Sequence, residues 1–243
     1  MGQGLFIKVA QVVSECFNIP IDYVHISGTN TDEVPNTSAT AASSGSDING
    51  MAAWKAATVI KQRMLKHASK VFQKPPSSIE FKNGLILSGN KSMTFKELAF
   101  SCWENRISLS STGFYKTPKI SWDQEKFKGS PYFYFTWGAA VSEAIIDIDT
   151  GESRILRADI IQDCGSSLNP LIDRGQIEGG FIQGIGWLTC EELYFNPEGK
   201  LLTLGPSTYK IPGSRDVPPE FNIKLLENTC LLYTSDAADD GSR

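Results

Sequence analysis

The 243-residue sequence has little of what metal sites and nucleic-acid-binding surfaces require. It contains two histidines, His25 and His67, and five cysteines without a C-x-x-C pair. We therefore expect no iron, zinc or copper held by side chains, and we assign no metal ligand. The formal net charge is −4 at pH 7 and no basic block occurs. Nucleic acid is therefore not an expected partner.

Long apolar segments and common catalytic motifs are also missing. No run of about 18 apolar residues occurs, and the first residues do not combine positive charge with an apolar segment. We therefore expect a cytoplasmic protein without a membrane partner. Neither histidine lies in a G-x-S-x-G elbow, and neither a P-loop nor a G-x-G-x-x-G after a strand is found. Hydrolase, ATPase and dinucleotide-binding functions thus have no support.

The composition is that of an ordinary globular protein, with 41% hydrophobic and 21% charged residues. The two histidines are expected to be surface or packing residues. The cysteines are odd in number and widely spaced, so we expect them to be reduced and mostly buried. They are Cys16, Cys102, Cys164, Cys190 and Cys230.

Apolar periodicity predicts an α+β fold of mixed helices and short-stranded sheets rather than a doubly wound sheet. Thr94 and Glu97 have the spacing of a helix capping box, and Asn83-Gly84 is typical of a hairpin turn. Helices are predicted at residues 4–18, 47–67, 94–103 and 170–187. Strands are predicted at residues 23–27, 107–114, 133–148 and 153–162, and hairpins at residues 79–87 and 193–204.

Three segments can bring backbone close to a polar ligand. Residues 35–46 are almost all small, and consecutive uncovered N–H groups form a concave positive nest that suits an anion. The chain also opens with Met-Gly-Gln-Gly, and residues 175–180 are Gly-Gln-Ile-Glu-Gly-Gly. Together these segments indicate one large polar cofactor, which would carry any redox chemistry.

The helix predicted over 170–187 contains five interior glycines. Each costs about 0.5–1 kcal/mol relative to alanine, so packing or ligand approach must explain them. We expect close packing of the helix on a sheet to account for most of them. A ligand role is reserved mainly for Gly175 and Gln176.

Six segments in the same order resemble the molybdenum-binding part of the xanthine dehydrogenase family, over residues 1 to about 228. The Gly-Phe-Tyr-Lys-Thr-Pro segment is more similar to xanthine dehydrogenase than to its aldehyde oxidase or carbon monoxide dehydrogenase relatives. The chain is also more similar to the bacterial form, in which this region belongs to a separate large subunit. The six segments are residues 1–4, 34–43, 113–118, 165–170, 175–184 and 206–212.

The resemblance implies part of a molybdenum hydroxylase that oxidises hypoxanthine and xanthine with oxygen drawn from water. A molybdenum-pyranopterin (molybdopterin) would accept two electrons. They would pass through iron-sulfur clusters and FAD, in another domain or subunit, to NAD, and the full enzyme is expected to be an oligomer. Aldehyde or other N-heterocycle oxidation is an alternative within the superfamily. A noncatalytic packing or subunit-interaction domain is a third reading.

The resemblance also assigns the site residues. The family's general base is a glutamate in a Gly-Glu-Pro setting that is missing here, and Glu178, Glu191 and Glu192 lie outside that motif. No catalytic residue is therefore assigned. Contacts with the pterin, its ring edges and its phosphate are assigned to Met1, Gly2, Gln3, Thr40, Ala41, Ala42, Ser43 and Gln176.

The resemblance further implies a division of the chain. Residues 1–228 are expected to form a partial cofactor-binding domain, with Met1 an internal residue of a longer protein. Residues 229–243 look like translated sequencing-adapter read-through and are expected to lie outside the domain. Such a C-terminal fragment would be inactive alone and would expose apolar patches.

Overall fold

The computed structural model describes residues 3–30, 40 and 44–227. The chain divides into two compact units, the first reaching to Phe133 and the second beginning at Tyr134. The described residues contain both helices and short strands, as the α+β prediction requires.

The first unit is built around two parallel helices, α1 (Leu5–Phe17) and α2 (Gly45–Phe72). The prediction for α1 is confirmed, and α2 extends beyond the predicted 47–67 at both ends. Lys61 Nζ donates to the carbonyl oxygen of Cys16 at 2.6 Å, where the carbonyls of α1 no longer have helical partners. This bond ties the end of α1 to the middle of α2.

A small antiparallel sheet follows, with strands β1 (Glu80–Lys82), β2 (Leu85–Ser88) and β3 (Lys91–Thr94). The predicted hairpin at Asn83-Gly84 is confirmed, and both turn residues have positive φ, 49° and 76°. Helix α3 (Phe95–Glu104) packs on this sheet and on α2. The core between them contains Phe17, Met64, Phe72, Ile86, Leu98 and Cys102.

The predicted capping box begins α3. Glu97 N–H donates to Thr94 Oγ1 at 3.1 Å, and Thr94 N–H donates to Glu97 Oε2 at 2.7 Å. The backbone bond, followed by the Thr94 hydroxyl, holds the pKa of Glu97 below its ordinary value. The contribution of Glu97 to stability is therefore present above the unfolded pKa of about 4.3, and is lost as pH falls through the lower folded pKa.

Replacing Glu97 with glutamine is therefore expected to lower the stability of the first unit at neutral pH, because the amide is a weaker acceptor than the carboxylate. The difference from the wild type should shrink as pH falls below the unfolded pKa of about 4.3 and vanish below the lower folded pKa of Glu97. Denaturant unfolding over a pH series measures it. The exposed Glu104, at the far end of α3, is the control as Glu104→Gln. Equal pH profiles for Glu97→Gln and wild type would contradict this account.

Two predicted strands are absent from the first unit. Residues 23–27 begin inside a 3-10 turn, Ile21–Tyr23, where the N–H groups of Tyr23 and Val24 donate to the carbonyl oxygens of Pro20 and Ile21 instead of to another strand. Residues 107–114 lie in the structure without regular secondary structure, because their carbonyls bind a side chain instead of another strand. Arg63 donates to the carbonyl oxygens of Ser108 and Ser110 at 3.2 and 2.9 Å. The unit ends with an unpredicted ribbon of β4 (Ser121–Asp123) and β5 (Lys128–Ser130).

The second unit is a three-stranded sheet with one helix. Strands β6 (Gly138–Ile146) and β7 (Ser153–Asp163) form the predicted antiparallel pair, and β8 (Glu220–Leu226) adds in parallel to β7. Helix α4 (Pro170–Thr189) packs on β8, with the Phe181 and Phe221 rings 5.3 Å apart. The hairpin predicted over 193–204 is reduced to one bridge between Phe195 and Leu201.

The described cysteines form no disulfide, as expected for reduced thiols. Only Cys102 among them is fully buried, so the expectation of mostly buried thiols is wrong for this part of the chain. His67 is buried with Nε2 at 2.8 Å from Ser101 Oγ, and His25 is exposed, so each has a packing or surface position as predicted. None of the helices in the described ranges combines the length and apolarity needed to cross a bilayer.

Candidate cofactor-binding site

The Met-Gly-Gln-Gly segment at residues 1–4 leads into α1. Gly4 is the residue before the helix and has φ of 67°, a left-handed conformation that favours glycine. None of the described side chains caps this end of α1, and Gln3 beside it is half-buried. Met1 and Gly2 lie outside the described residues.

The small-residue segment, residues 35–46, ends at the beginning of α2. Ser44 precedes the helix and makes no side-chain capping bond, while Asp47 Oδ1 accepts the N–H of Ile48 at 2.9 Å. Thr40 is half-buried just before this point. Ala41, Ala42 and Ser43 were assigned to the same segment and lie outside the described residues.

These two helix beginnings lie together. An idealised Cβ on Gly45 would be 3.0 Å from Leu5 Cδ2 and 3.1 Å from Thr40 Cγ2, so the three residues meet at one point. Further along, Cys16 Sγ lies 3.8 Å from Thr58 Oγ1, which shows that the two helices run in the same direction. Their N-terminal N–H groups and positive dipole ends are therefore at the same end of the first unit.

The two helices differ from the others in how they begin. Thr94 caps α3, and the Asn169 side chain caps α4 by accepting the N–H of Ile172 at 3.2 Å. By contrast, neither Gly4 nor Ser44 provides a described side-chain cap. Because the first N–H groups of a helix have no partner within the helix, an anion is a suitable acceptor for those of α1 and α2.

The third predicted segment lies on α4 in the second unit. Gln176 is exposed, and an idealised Cβ on four of the α4 glycines meets no described atom within 4 Å. The expectation that packing explains most of these glycines is therefore wrong for the described residues. The four are Gly175, Gly179, Gly180 and Gly184.

A second carboxamide shares this side of α4. Gln183 follows Gln176 by seven residues, which is close to two helical turns, and both side chains are exposed. Gly179 and Gly180 lie between them, and an idealised Cβ on either glycine meets no described atom within 4 Å. We call Gln176, Gly179, Gly180 and Gln183 the carboxamide face. The i, i+7 spacing was visible in the sequence, but Gln183 was not assigned.

Two of the three glutamates that were not assigned as general bases have side-chain partners in the structure. Glu178 Oε1 is 2.9 Å from Arg174 Nε, and Glu191 Oε2 accepts the hydroxyl of Tyr209 at 2.5 Å. Glu192 is exposed. Among the described residues no group of three His, Cys, Asp or Glu side chains could hold a metal ion.

A cavity of about 470 Å³ opens on the sheet of the second unit. It is lined by strands β6 to β8 together with Arg174, and it contains none of the predicted site residues. The cavity is an open trough on a sheet, whereas the beginnings of α1 and α2 bring the N–H groups of two helix ends to one point. Gln3 and Thr40 lie in the first unit and Gln176 in the second, so their convergence on one ligand stays a prediction.

Comparison with known proteins identifies relatives over nearly the whole chain. The family described as molybdopterin cofactor-binding domain matches residues 1–218. Xanthine dehydrogenase/oxidase of Felis catus is 44% identical over 99% of this chain, and xanthine dehydrogenase of Dictyostelium discoideum is 46% identical over 93%. Aldehyde oxidase 2 of Mus musculus is 43% identical over 97%. The chain spans only 16 to 17% of the length of these relatives.

Solved structures share the fold. Quinoline 2-oxidoreductase from Pseudomonas putida 86 superposes with a TM-score of 0.76 at 24% identity, covering 96% of this chain and 29% of that one. Aldehyde oxidoreductase from Desulfovibrio gigas gives a TM-score of 0.69 at 20% identity, covering 93% and 22%. At these identities the likeness establishes the architecture, and it confirms the predicted α+β class.

Proposed function

Because the chain belongs to the family of molybdopterin cofactor-binding domains, we propose that the paired beginnings of α1 and α2 bind the pyranopterin. The observation that carries this proposal is the meeting at Gly45 of two parallel helix starts, neither of which has a side-chain cap among the described residues. Backbone N–H groups there would hold the phosphate, and Gln3 and Thr40 would contact the pterin and its ring edges. Met1, Gly2 and residues 41–43 are proposed to complete these contacts.

The residues present fit such a ligand. The left-handed Gly4 leaves the backbone before α1 without a side chain, and a larger residue at Gly45 would press on Leu5 and Thr40. Small residues and N–H donors at a positive helix end match an anionic, hydrogen-bonding molecule better than an apolar one.

On α4, we propose that Gln176 contributes a carboxamide contact to the same cofactor. The open space over Gly179 and Gly180 supports this role, because a planar ring can approach the helix backbone where no Cβ intervenes. It also counts against a noncatalytic domain in which the glycines serve packing alone.

For the whole protein we propose a molybdenum hydroxylase that oxidises hypoxanthine and xanthine. The bound cofactor would supply the two-electron redox centre, and iron-sulfur clusters and FAD elsewhere in a cytoplasmic oligomer would carry electrons to NAD. Identities of 44% and 46% to two xanthine dehydrogenases support this substrate class. The 43% identity to mouse aldehyde oxidase 2 supports aldehyde or N-heterocycle oxidation as the second candidate.

We do not propose Glu178 or Glu191 as the general base of this reaction. Arg174 engages Glu178 and Tyr209 engages Glu191, so neither carboxylate is available without breaking a described contact. We accordingly propose that residues 1–243 provide contacts to the cofactor but are inactive on their own.

Molybdenum and pterin analysis of the full-length protein tests the site. The Gly45→Val variant is expected to lose most of its cofactor, because its side chain must push Leu5 or Thr40 away from the helix starts. Gly50→Ala, whose Cβ would make an ordinary 3.6 Å contact with Val12, should retain it. Full retention by Gly45→Val would contradict the proposed site. Turnover of xanthine against aldehydes by the wild type then decides between the two substrate classes.

A further inference from the structure

The last turn of α4 is attached to a later segment of the chain. Ile185 and Gly186 are its buried residues. The N–H groups of Cys190 and Glu191 both donate to the carbonyl oxygen of Gly186, at 3.1 and 3.0 Å. The chain therefore folds back over the helix after Thr189, and this places the Glu191 side chain against the last turn.

Gly186 provides the space for this arrangement. An idealised Cβ at this position would overlap Glu191 Oε1 and lie 2.7 Å from Cδ of Pro212. Unlike the open glycines of α4, Gly186 thus has a packing reason within the described residues.

Residues 205–212 form a loop that is fastened to this point. The N–H groups of Thr208 and Tyr209 both donate to the carbonyl oxygen of Gly205, at 2.9 and 2.8 Å, which closes the first turn of the loop. The Tyr209 hydroxyl donates to Glu191 Oε2 at 2.5 Å. This hydrogen bond first, then desolvation and the negative charge of Glu191, raise the pKa of Tyr209.

The position of this contact on the helix relates it to the carboxamide face. Gly186 follows Gly179 by seven residues and Gln176 by ten. At about 100° per residue it lies roughly 20° from Gly179 and about 80° from Gln176 around the helix axis. The 205–212 loop, which packs on Gly186 through Pro212, therefore borders the carboxamide face at the C-terminal end of α4.

We propose that Glu191 and Tyr209 are positioning residues that hold the 205–212 loop at the border of the carboxamide face. Neither residue is assigned a contact with the cofactor or substrate. The inference rests on the proposed function, because the loop can slow release of the cofactor only if Gln176 binds that cofactor. It assigns Glu191 a role other than that of a base and connects two motifs that are far apart in sequence.

The test uses the full-length protein carrying Tyr209→Phe or Glu191→Gln, which preserve side-chain volume. The control is Glu192→Gln, which changes the adjacent exposed carboxylate. Amide hydrogen exchange over residues 205–212 should become roughly tenfold faster in Tyr209→Phe, which removes a hydrogen bond to a charged acceptor, and should rise less in Glu191→Gln, whose amide is a weaker acceptor. Molybdopterin release should also accelerate several-fold, with the thermal midpoint of the apo protein nearly unchanged.

The outcomes separate the possible failures. Exchange no faster than in Glu192→Gln would overturn the role of the hydrogen bond. Faster exchange with unchanged cofactor release would overturn the link to the carboxamide face, since a merely structural contact would move the first readout alone. Absence of molybdopterin from the wild-type protein would contradict the proposed function, while the exchange data would still report whether Glu191 and Tyr209 hold the loop.

Discussion

The Gly180→Leu variant is expected to lose most of its molybdopterin while its fold becomes no less stable. Gly180 lies between Gln176 and Gln183, and an idealised Cβ there meets no described atom within 4 Å. Leucine is the better helix former, so the apo domain should gain about 0.5–1 kcal/mol. In the proposed complex, the same side chain would occupy the space where the cofactor approaches the helix. We expect bound molybdenum and pterin to fall to about a tenth of the wild-type level or less, because steric overlap in a close-packed site costs about 1–3 kcal/mol.

Metal and pterin analysis of the purified full-length protein, together with denaturant unfolding of the apo form, measures the two effects. Glu178→Leu is the control, because it adds the same side chain to the same helix about 160° away from Gly180 around the axis. The ion pair of Glu178 with Arg174 is exposed, and its loss should cost only about 0–1 kcal/mol. Normal cofactor content in Gly180→Leu, or equal loss in both variants, would count against the carboxamide face.

Replacing Gly113 with valine is expected to destabilise the first unit by about 3 kcal/mol or more. An idealised Cβ on Gly113 would overlap the carbonyl oxygen of Ala52 and lie 3.0 Å from the N atom of Ala56. Both atoms belong to the backbone of α2, which cannot move aside as a side chain can. Overpacking usually costs about 1–3 kcal/mol, and a clash with helix backbone belongs at the upper end of that range. The loop that Arg63 holds through Ser108 should also detach.

Denaturant unfolding of the full-length protein and hydrogen exchange in α2 provide the measurement. Gly28→Ala, in the same unit, is the control because its Cβ would make an ordinary 3.6 Å contact with the Asn30 side chain. An unfolding midpoint for Gly113→Val equal to that of the control would show that the segment does not pack on α2 as described.

The two glycine predictions have opposite signs for a reason that no sequence pattern distinguishes. Gly113 is enclosed by backbone, whereas Gly180 faces open space. Both belong to segments that matched the family, and a sequence reader sees in each only a residue without a side chain. The neighbours that decide the effect of a substitution belong to other parts of the chain.

Local signals in the sequence predicted several elements well. The capping box of Thr94 and Glu97, the turn at Asn83-Gly84 and the apolar periodicity of α1 depend on neighbours within a few residues. Predictions failed where the partner is distant. Residues 107–114 have strand-like composition but bind Arg63, and β8 pairs with a strand about 60 residues earlier.

The sequence by itself determined the family, the α+β class and which segments carry backbone suited to a cofactor, because motif order and short-range periodicity are written along the chain. Only the tertiary structure decided that α1 and α2 begin at the same point, that four α4 glycines are open and one is packed, and that Tyr209 engages Glu191. These facts depend on contacts between residues far apart in sequence, and such contacts are established only when helices and loops pack against one another.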